Sequence, residues 1–197
     1  MPQKPPSTAR LEAFSDGVIA VIITIMVLEL KVPHQDGVAG FYALLPIFLI
    51  YLLSFTFTGI YWINHQHVLD RIQSAGHAVL YANLCFLFCL SLLPFFTAYV
   101  LEKEISPFAV FLYAVSLFVT GSSFLALRLA IHGHLRRSGD LREEDTSARS
   151  KHLASLALYL ITIPLAWFYP RLALVLLALV TVVWIIPNLA LHKQPER

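Results

Sequence analysis

Hydrophobic residues along the chain fall into six long runs that short polar stretches separate. The runs cover residues 11–30, 41–66, 76–99, 107–131, 151–169 and 172–191. A helix needs about 20 predominantly apolar residues to cross the hydrocarbon core of a bilayer. The pattern therefore predicts an all-α integral membrane protein with six transmembrane helices, in a single domain spanning residues 1–197.

Two prolines predict where these helices depart from a regular course. Pro46 lies near the start of the second run, where a missing amide proton has little effect on the helix. Pro94 lies well inside the third run and predicts a kink there. The most polar part of the chain, residues 136–145, is expected to be a loop between the fourth and fifth helices.

Composition agrees with a membrane protein. The chain is 58% hydrophobic and 13% charged, whereas soluble domains are about 45–50% apolar and about 25% charged. A net charge of +2 indicates no general basic surface for nucleic acid. Cys85 and Cys89 share one helix face and are interpreted as packing residues, because zinc requires more ligands than two. The polar N-terminus does not resemble a signal peptide, so the first helix is expected to be retained.

Basic residues are distributed unevenly between the two sides of the predicted membrane domain. Eleven of the 14 Lys and Arg residues fall on the side that holds both termini. The positive-inside rule then places both termini in the cytoplasm. The expected location of the chain is the cell's inner (plasma) membrane. The two halves of the chain show no convincing internal repeat, and this counts against an inverted-repeat transporter.

The first helix begins with polar residues that need partners. Arg10, Ser15 and Asp16 precede a long apolar stretch, and a carboxylate at the mouth of a membrane helix is costly unless it is paired. Arg10 is the obvious partner for an ion pair with Asp16, because it is the basic residue closest to Asp16 in the sequence. Six positions separate the two, so they do not share one face, and pairing with a neighbouring helix is the other option.

Further along this helix, Val21, Ile25 and Leu28 fall on one stripe, with Thr24 beside it. The stripe is typical of a surface that packs or faces lipid. A ring of apolar side chains can also gate a pore by dewetting, and hydroxyl groups can help to replace ion hydration. One helix cannot enclose a pore, so the channel hypothesis requires a homo-oligomer with closed symmetry.

A second polar group lies at the end of the second helix and has three interpretations. Its members could form an aromatic belt at the interface, or a buried network that holds the polar residues of the first helix. Metal binding is less favoured, because His65 and His67 lie two apart on a helix and point in different directions. The group comprises Trp62, Asn64, His65 and His67, and His77 and Asn83 of the third helix could join it.

The sequence gives little support for catalysis or for a bound cofactor or metal. Glu29 is either an acid that attracts cations at the outer mouth or an ordinary helix-end residue at the interface. The sequence contains no Ser/His/Asp order and no His-Glu-x-x-His motif, so an enzyme is not expected. We expect no cofactor and no structural metal.

Arg10, Phe14, Ser15 and Asp16 form an Arg-x-x-x-Phe-Ser-Asp motif that strongly resembles the prokaryotic branch of the transmembrane protein 175 family of potassium channels. The resemblance extends to the Leu-Glu-Leu-Lys-Val-Pro exit of the first helix, to the Trp62/Asn64/His65 cluster and to the missing Thr-Val-Gly-Tyr-Gly filter. It implies a homotetramer whose first helices surround a potassium-conducting pore, embedded in lipid and binding no nucleic acid. The pore-facing positions that it implies are Val21, Thr24, Ile25 and Leu28.

The sequence therefore predicts a potassium-permeable cation channel, weakly selective against sodium, with a hydrophobic constriction in the first helix. The alternative is a proton-coupled secondary transporter that uses Asp16 and His65 as its relay. Which of Thr24 and Ile25 faces the pore axis stays open, because a rotation of a few tens of degrees exchanges them.

Overall fold

The computed structural model describes residues 8–32, 37–138 and 146–191, and the elements in these ranges are helices. The all-α prediction is confirmed. A short 3₁₀ turn, Val27–Glu29, continues the first helix. The helices are α1 Thr8–Met26, α2 Gly37–Ala43, α3 Leu45–Leu69, α4 His77–Ser91, α5 Leu93–Glu102, α6 Pro107–Ser138, α7 Thr146–Phe168 and α8 Pro170–Leu191.

Several of these helices have the length and composition of membrane spans, as in a multi-pass membrane protein. Within the described residues, five stretches meet both criteria: Thr8–Glu29, Gly40–Leu69, His77–Glu102, Pro107–Ser138 and Arg149–Phe168. The sixth predicted span corresponds to α8. Its apolar part with described side chains, Pro170–Ile185, is shorter than the other five, so the sixth span stays a prediction.

Proline determines where two of the predicted helices divide. The second is interrupted at Leu44 and the third at Leu92, and each break is followed by a proline in the first turn of the next helix, Pro46 in α3 and Pro94 in α5. A proline is tolerated there because the first amides of a helix have no partner within it. The third predicted helix is thus two helices, α4 and α5.

Helix α6 continues past its predicted end at residue 131 and ends at Ser138. Residues 136–138 are therefore helical rather than part of the loop, and the remainder of that predicted loop lies outside the described residues. Arg136 and Arg137 occupy the last turn, where positive charge interacts favourably with the helix dipole. The Arg137 Nε atom also donates to the carbonyl of Gly133 at 3.0 Å.

Helix α6 forms the centre of the bundle, and α1 lies at its edge. Helix α6 packs against α4, α5, α7 and α8, whereas α1 packs against α3, α4 and α5. In the most apolar part of α6, 56% of the positions are buried, against 22% in α1, the lowest share among the five long apolar stretches. Helix α1 therefore keeps a large free surface.

Three hydroxyl groups in the core join α3, α5 and α6. The Ser54 hydroxyl lies 2.8 Å from the Thr97 hydroxyl and 2.8 Å from that of Tyr113. All three side chains are completely buried. Buried polar groups are stable only when they are hydrogen-bonded, so this cluster constrains how the three helices pack.

Gly121 of α6 allows α7 and α3 to approach closely. A Cβ atom at this position would lie 2.8 Å from Cδ2 of Leu156 and 2.9 Å from the hydroxyl oxygen of Tyr61. We expect Gly121→Ala to lower the free energy of unfolding by about 1–3 kcal/mol, because overpacking in a core displaces its neighbours. Thermal unfolding of the detergent-solubilised protein measures this change.

Gly59→Ala is the matched control, since a Cβ atom at Gly59 in α3 would meet nothing within 4 Å. This variant should be as stable as the native protein, or slightly more stable, because alanine favours a helix over glycine by about 0.5–1 kcal/mol. Equal losses of stability in the two variants would show that close packing at Gly121 is not the cause.

Candidate functional site

The polar residues at the start of α1 are hydrogen-bonded to α3. The bond lies at the end of α3 that is predicted to face the cytoplasm. The indole Nε1 of Trp62 donates a hydrogen bond to the Asp16 carboxylate, with a donor–acceptor distance of 2.9 Å. Trp62 remains 38% exposed, so the bond lies at the edge of the bundle. This bond gives Asp16 the partner on a neighbouring helix that its position requires.

A second set of hydrogen bonds, centred on Asn83 of α4, lies beside the first and is buried. The Asn83 amide nitrogen donates to the Ser15 hydroxyl at 2.9 Å, and its carbonyl oxygen accepts a bond from His65 Nε2 at 2.7 Å. Ser15 and Asn83 are completely buried and His65 is nearly so. The imidazole ring of His65 also stacks on Phe86, with ring centroids 5.7 Å apart. We call these bonds the Asn83 network, which connects α1, α3 and α4.

Four other predicted members lie outside this network. Arg10 forms no ion pair with Asp16 within the described residues, because six positions place the two on different sides of the helix. Phe14 is 53% exposed. The Asn64 amide donates to the carbonyl of Ile60 in its own helix at 2.7 Å. His77 is exposed in the first turn of α4.

The sequence suggested Asn83 only as an additional member of the polar group around Trp62. In the structure it is the residue of α4 that forms hydrogen bonds with both α1 and α3. The signal in the sequence was a single amide side chain inside an otherwise apolar helix. Such a residue needs a partner when it is buried, but its neighbours on other helices become known only from the fold.

The predicted stripe of α1 lies on the exposed side of the helix, away from the Asn83 network. Val21 is 55% exposed, Ile25 44% and Leu28 75%, and Thr24 is exposed as well. The Thr24 hydroxyl donates within its own helix, 3.0 Å from the carbonyl oxygens of Ala20 and Val21. On the packed face, the buried residues are Leu11, Ser15, Ile19, Ile22 and Met26.

The free face of α1 continues into an open groove of about 780 Å³ beside α5. Val21, Ile25 and Glu29 of α1 line it, opposite Pro94 and Phe95. Apolar surface of this extent that also contains a carboxylate suggests contact with another protein surface or a passage, rather than with lipid alone.

A surface ion pair joins the exit of α1 to the end of α5. Lys31 Nζ lies 3.4 Å from a Glu102 carboxylate oxygen, and both side chains are more than half exposed. Exposed pairs of this kind contribute about 0–1 kcal/mol. The polar contact at the exit of α1 is thus more exposed to solvent than the hydrogen bonds at its entrance.

Comparison with known proteins adds independent information. A family model described as "Endosomal/lysosomal potassium channel TMEM175" matches residues 10–94. A Chryseobacterium protein named "Potassium channel HX13_20290" is 38% identical over 94% of this chain and 96% of its own length. A Gallus gallus protein named "Endosomal/lysosomal proton channel TMEM175" is 25% identical, over 88% of this chain and 37% of its own length.

The fold also matches a solved structure. The crystal structure of a lysosomal potassium-selective channel TMEM175 homolog from Chamaesiphon minutus superposes with a TM-score of 0.72. The two chains are 28% identical, and the match covers 92% of this chain and 97% of the other. The family resemblance inferred from the motif is therefore confirmed: the chain belongs to the TMEM175 family of ion channels.

Proposed function

We propose that the chain forms a homotetrameric, potassium-permeable cation channel in which the α1 helices of four subunits surround the pore. The observation that carries this proposal is the difference between two sides of α1. One side packs into the bundle and is hydrogen-bonded to it, whereas the apolar side with Val21, Ile25 and Leu28 is free. The relatives named potassium channels support potassium as the permeant ion.

The Asn83 network sets the rotation of α1 and thereby decides which residues face the axis. At about 100° per residue, Thr24 lies about 180° from Ser15 around the helix, whereas Ile25 lies about 80° from it. With Ser15 directed toward α4, Thr24 is directed away from the bundle. We therefore place Thr24 more squarely on the axis than Ile25.

Around the helix, Val21 lies about 60° from Thr24, and Leu28, in the 3₁₀ turn, lies about 80° from Thr24 in the same direction. Their apolar side chains would form the hydrophobic constriction, which gates by dewetting. The Thr24 hydroxyl keeps acceptor capacity while it donates to its own backbone, so it could contribute an oxygen to a partly dehydrated potassium ion. Glu29, at the rim of the groove, would attract cations to the outer mouth.

The remaining motif residues would support this pore. Asp16 with Trp62, and Ser15 with Asn83 and His65, would fix the entrance of α1. Exposed Arg10 and Phe14 would contact a neighbouring subunit, while Asn64 and His77 would complete the surface around the network. The uneven distribution of Lys and Arg supports a plasma-membrane channel with both termini in the cytoplasm.

The direct test is potassium flux into liposomes that contain the purified protein, together with the subunit number from cross-linking and light scattering. We expect flux that depends on the protein and a tetramer in detergent. A monomer, or reconstituted protein with no potassium flux, would contradict the proposal.

Protons are the second candidate for the permeant or coupled ion, since the Gallus gallus relative carries the name of a proton channel. Asp16 and His65 would then act in proton movement. A pH-sensitive dye enclosed in the same liposomes separates the cases. Proton entry that saturates with an added substrate, without unitary currents, would favour the transporter over either channel.

A further inference from the structure

We propose that a groove between α3 and α8 binds one acyl chain of an anionic phospholipid, and that Arg171 pairs with the phosphate of its head group. The groove encloses about 570 Å³ and lies apart from the free face of α1. Its ligand is a component of the bilayer, so the site is independent of the ion that the channel conducts.

The lining residues recur along both helices. They occupy positions 46, 49, 50, 52, 53 and 56 of α3 and positions 171, 174, 175, 178, 181, 182 and 185 of α8, and Ile105, between α5 and α6, completes the lining. At 1.5 Å per residue these positions span about 15 Å of α3 and about 21 Å of α8. One leaflet of hydrocarbon is about 15 Å thick, so the groove has the length of a single acyl chain.

The surface of the groove is almost wholly apolar. Leu49, Leu52 and Val175 are exposed along its rim, while Ile50 and Leu53 are buried beneath. The hydroxyl of Thr181 already donates to the carbonyl of Ala178 at 2.7 Å. Water or a soluble ion would find few partners here, whereas an acyl chain would cover the apolar side chains.

Ala178 is the smallest of the residues that α8 contributes to the lining. It lies midway along the lining of α8, between Leu174 and Val182, and is partly buried. Its position is about 10 Å along the helix from Arg171, so a larger side chain there would reduce the volume of the groove away from its charged end.

Arg171 provides the charge that selects the head group. It lies in the first turn of α8 and lines the same groove as Pro46, in the first turn of α3. Its side chain is exposed. A guanidinium group binds phosphate through a pair of hydrogen bonds, and a basic group beside an apolar groove matches the two parts of a phospholipid. An apolar surface of a second subunit would leave this charge unpaired.

The test uses native mass spectrometry on the full-length protein in mild detergent, with phosphatidylglycerol or phosphatidylcholine of identical acyl chains added. We expect the native protein to retain phosphatidylglycerol about fivefold more strongly than phosphatidylcholine. Arg171→Gln should abolish this preference, and Arg171→Lys should keep it. Lys103→Gln, which removes an exposed basic residue at the end of α5 instead, should also keep it.

A second pair of variants tests the groove itself. Ala178→Trp should lower the retention of both lipids, whereas Ala157→Trp, at an exposed position of α7, should leave it at the native level. If Arg171→Gln retains the native preference, or if the two tryptophan variants retain lipid equally, the proposal is wrong.

The alternative is that the surface of a second subunit, and not a lipid, covers the groove between α3 and α8. Val175→Cys, in a background with Cys85→Ser and Cys89→Ser and labelled with a benzophenone maleimide, reports on it, because the photoactivated label attacks any protein surface within its reach. No cross-link between subunits is expected when the groove faces lipid. Cross-linked subunits would show that a second copy covers the groove, and they would overturn the lipid site.

Discussion

Leu28→Ala is expected to raise potassium flux through the reconstituted channel about tenfold, which corresponds to about 1.4 kcal/mol off the barrier to permeation. Leu28 is the most exposed member of the stripe, with 75% of its side chain free in the single subunit. In the proposed tetramer, each subunit would lose most of one apolar side chain from the constriction. A wider constriction dewets less readily. Val21→Ala should act in the same direction with a smaller effect, because less volume is removed.

The measurement is potassium flux in liposomes at equal protein density, with unitary conductance as a second reading. Leu160→Ala is the matched control, since Leu160 is 55% exposed on α7 and lies outside the proposed pore. Its flux should equal that of the native protein. Native flux in Leu28→Ala, or an equal rise in Leu160→Ala, would place the constriction elsewhere.

Asn83→Ala should lower the free energy of unfolding by about 2–5 kcal/mol. The substitution removes both hydrogen bonds of the Asn83 network and leaves Ser15 and His65 buried without these partners. Each unsatisfied buried group costs about 1–3 kcal/mol. Potassium flux at a temperature where the variant remains folded should change as well, because α1 loses its hydrogen bond to α4 and keeps the bond between Trp62 and Asp16 at its entrance.

Asn64→Ala provides a control with the same chemical change one helix away. The amide of Asn64 donates to the backbone of its own helix and is only half-buried, so its loss should cost less than about 1 kcal/mol. Thermal unfolding in detergent compares the two variants. If they are equally stable, the buried position of Asn83 between α1 and α3 is not what stabilises the bundle.

Features that depend on periodicity within one helix were predictable. Val21, Ile25 and Leu28 recur at helical spacing, so the sequence was enough to place them on one stripe, and the fold shows that this stripe is free. Pro94 likewise indicated a disturbance in the third helix. The family was recognised from Arg10, Phe14, Ser15 and Asp16 because the motif has a fixed spacing.

Contacts between helices were harder to predict. The sequence left two partners open for Asp16, Arg10 nearby in the chain or a residue of a neighbouring helix, and only the packed helices show that it is Trp62 of α3. Ser54, Thr97 and Tyr113 are single hydroxyl-bearing residues in apolar helices, and nothing local distinguishes them from lipid-facing residues until α3, α5 and α6 are packed together. The extension of α6 to Ser138 was missed because polarity marks the end of a membrane span, not the end of a helix.

The two ends of α1 contact the bundle in different ways, and this difference affects how the helix would tilt. Side chains of α3 and α4 form hydrogen bonds with its entrance, whereas at its exit the described contacts are one exposed ion pair and the apolar packing of buried Met26. In the proposed tetramer, a tilt of α1 that kept these hydrogen bonds would be centred near Ser15. Leu28 lies about 20 Å along the helix from Ser15, so a tilt of only about 5° would displace it by about 1.7 Å. Such a tilt would change the bore of the proposed pore at Leu28 and leave the hydrogen bonds of Ser15 and Asp16 in place.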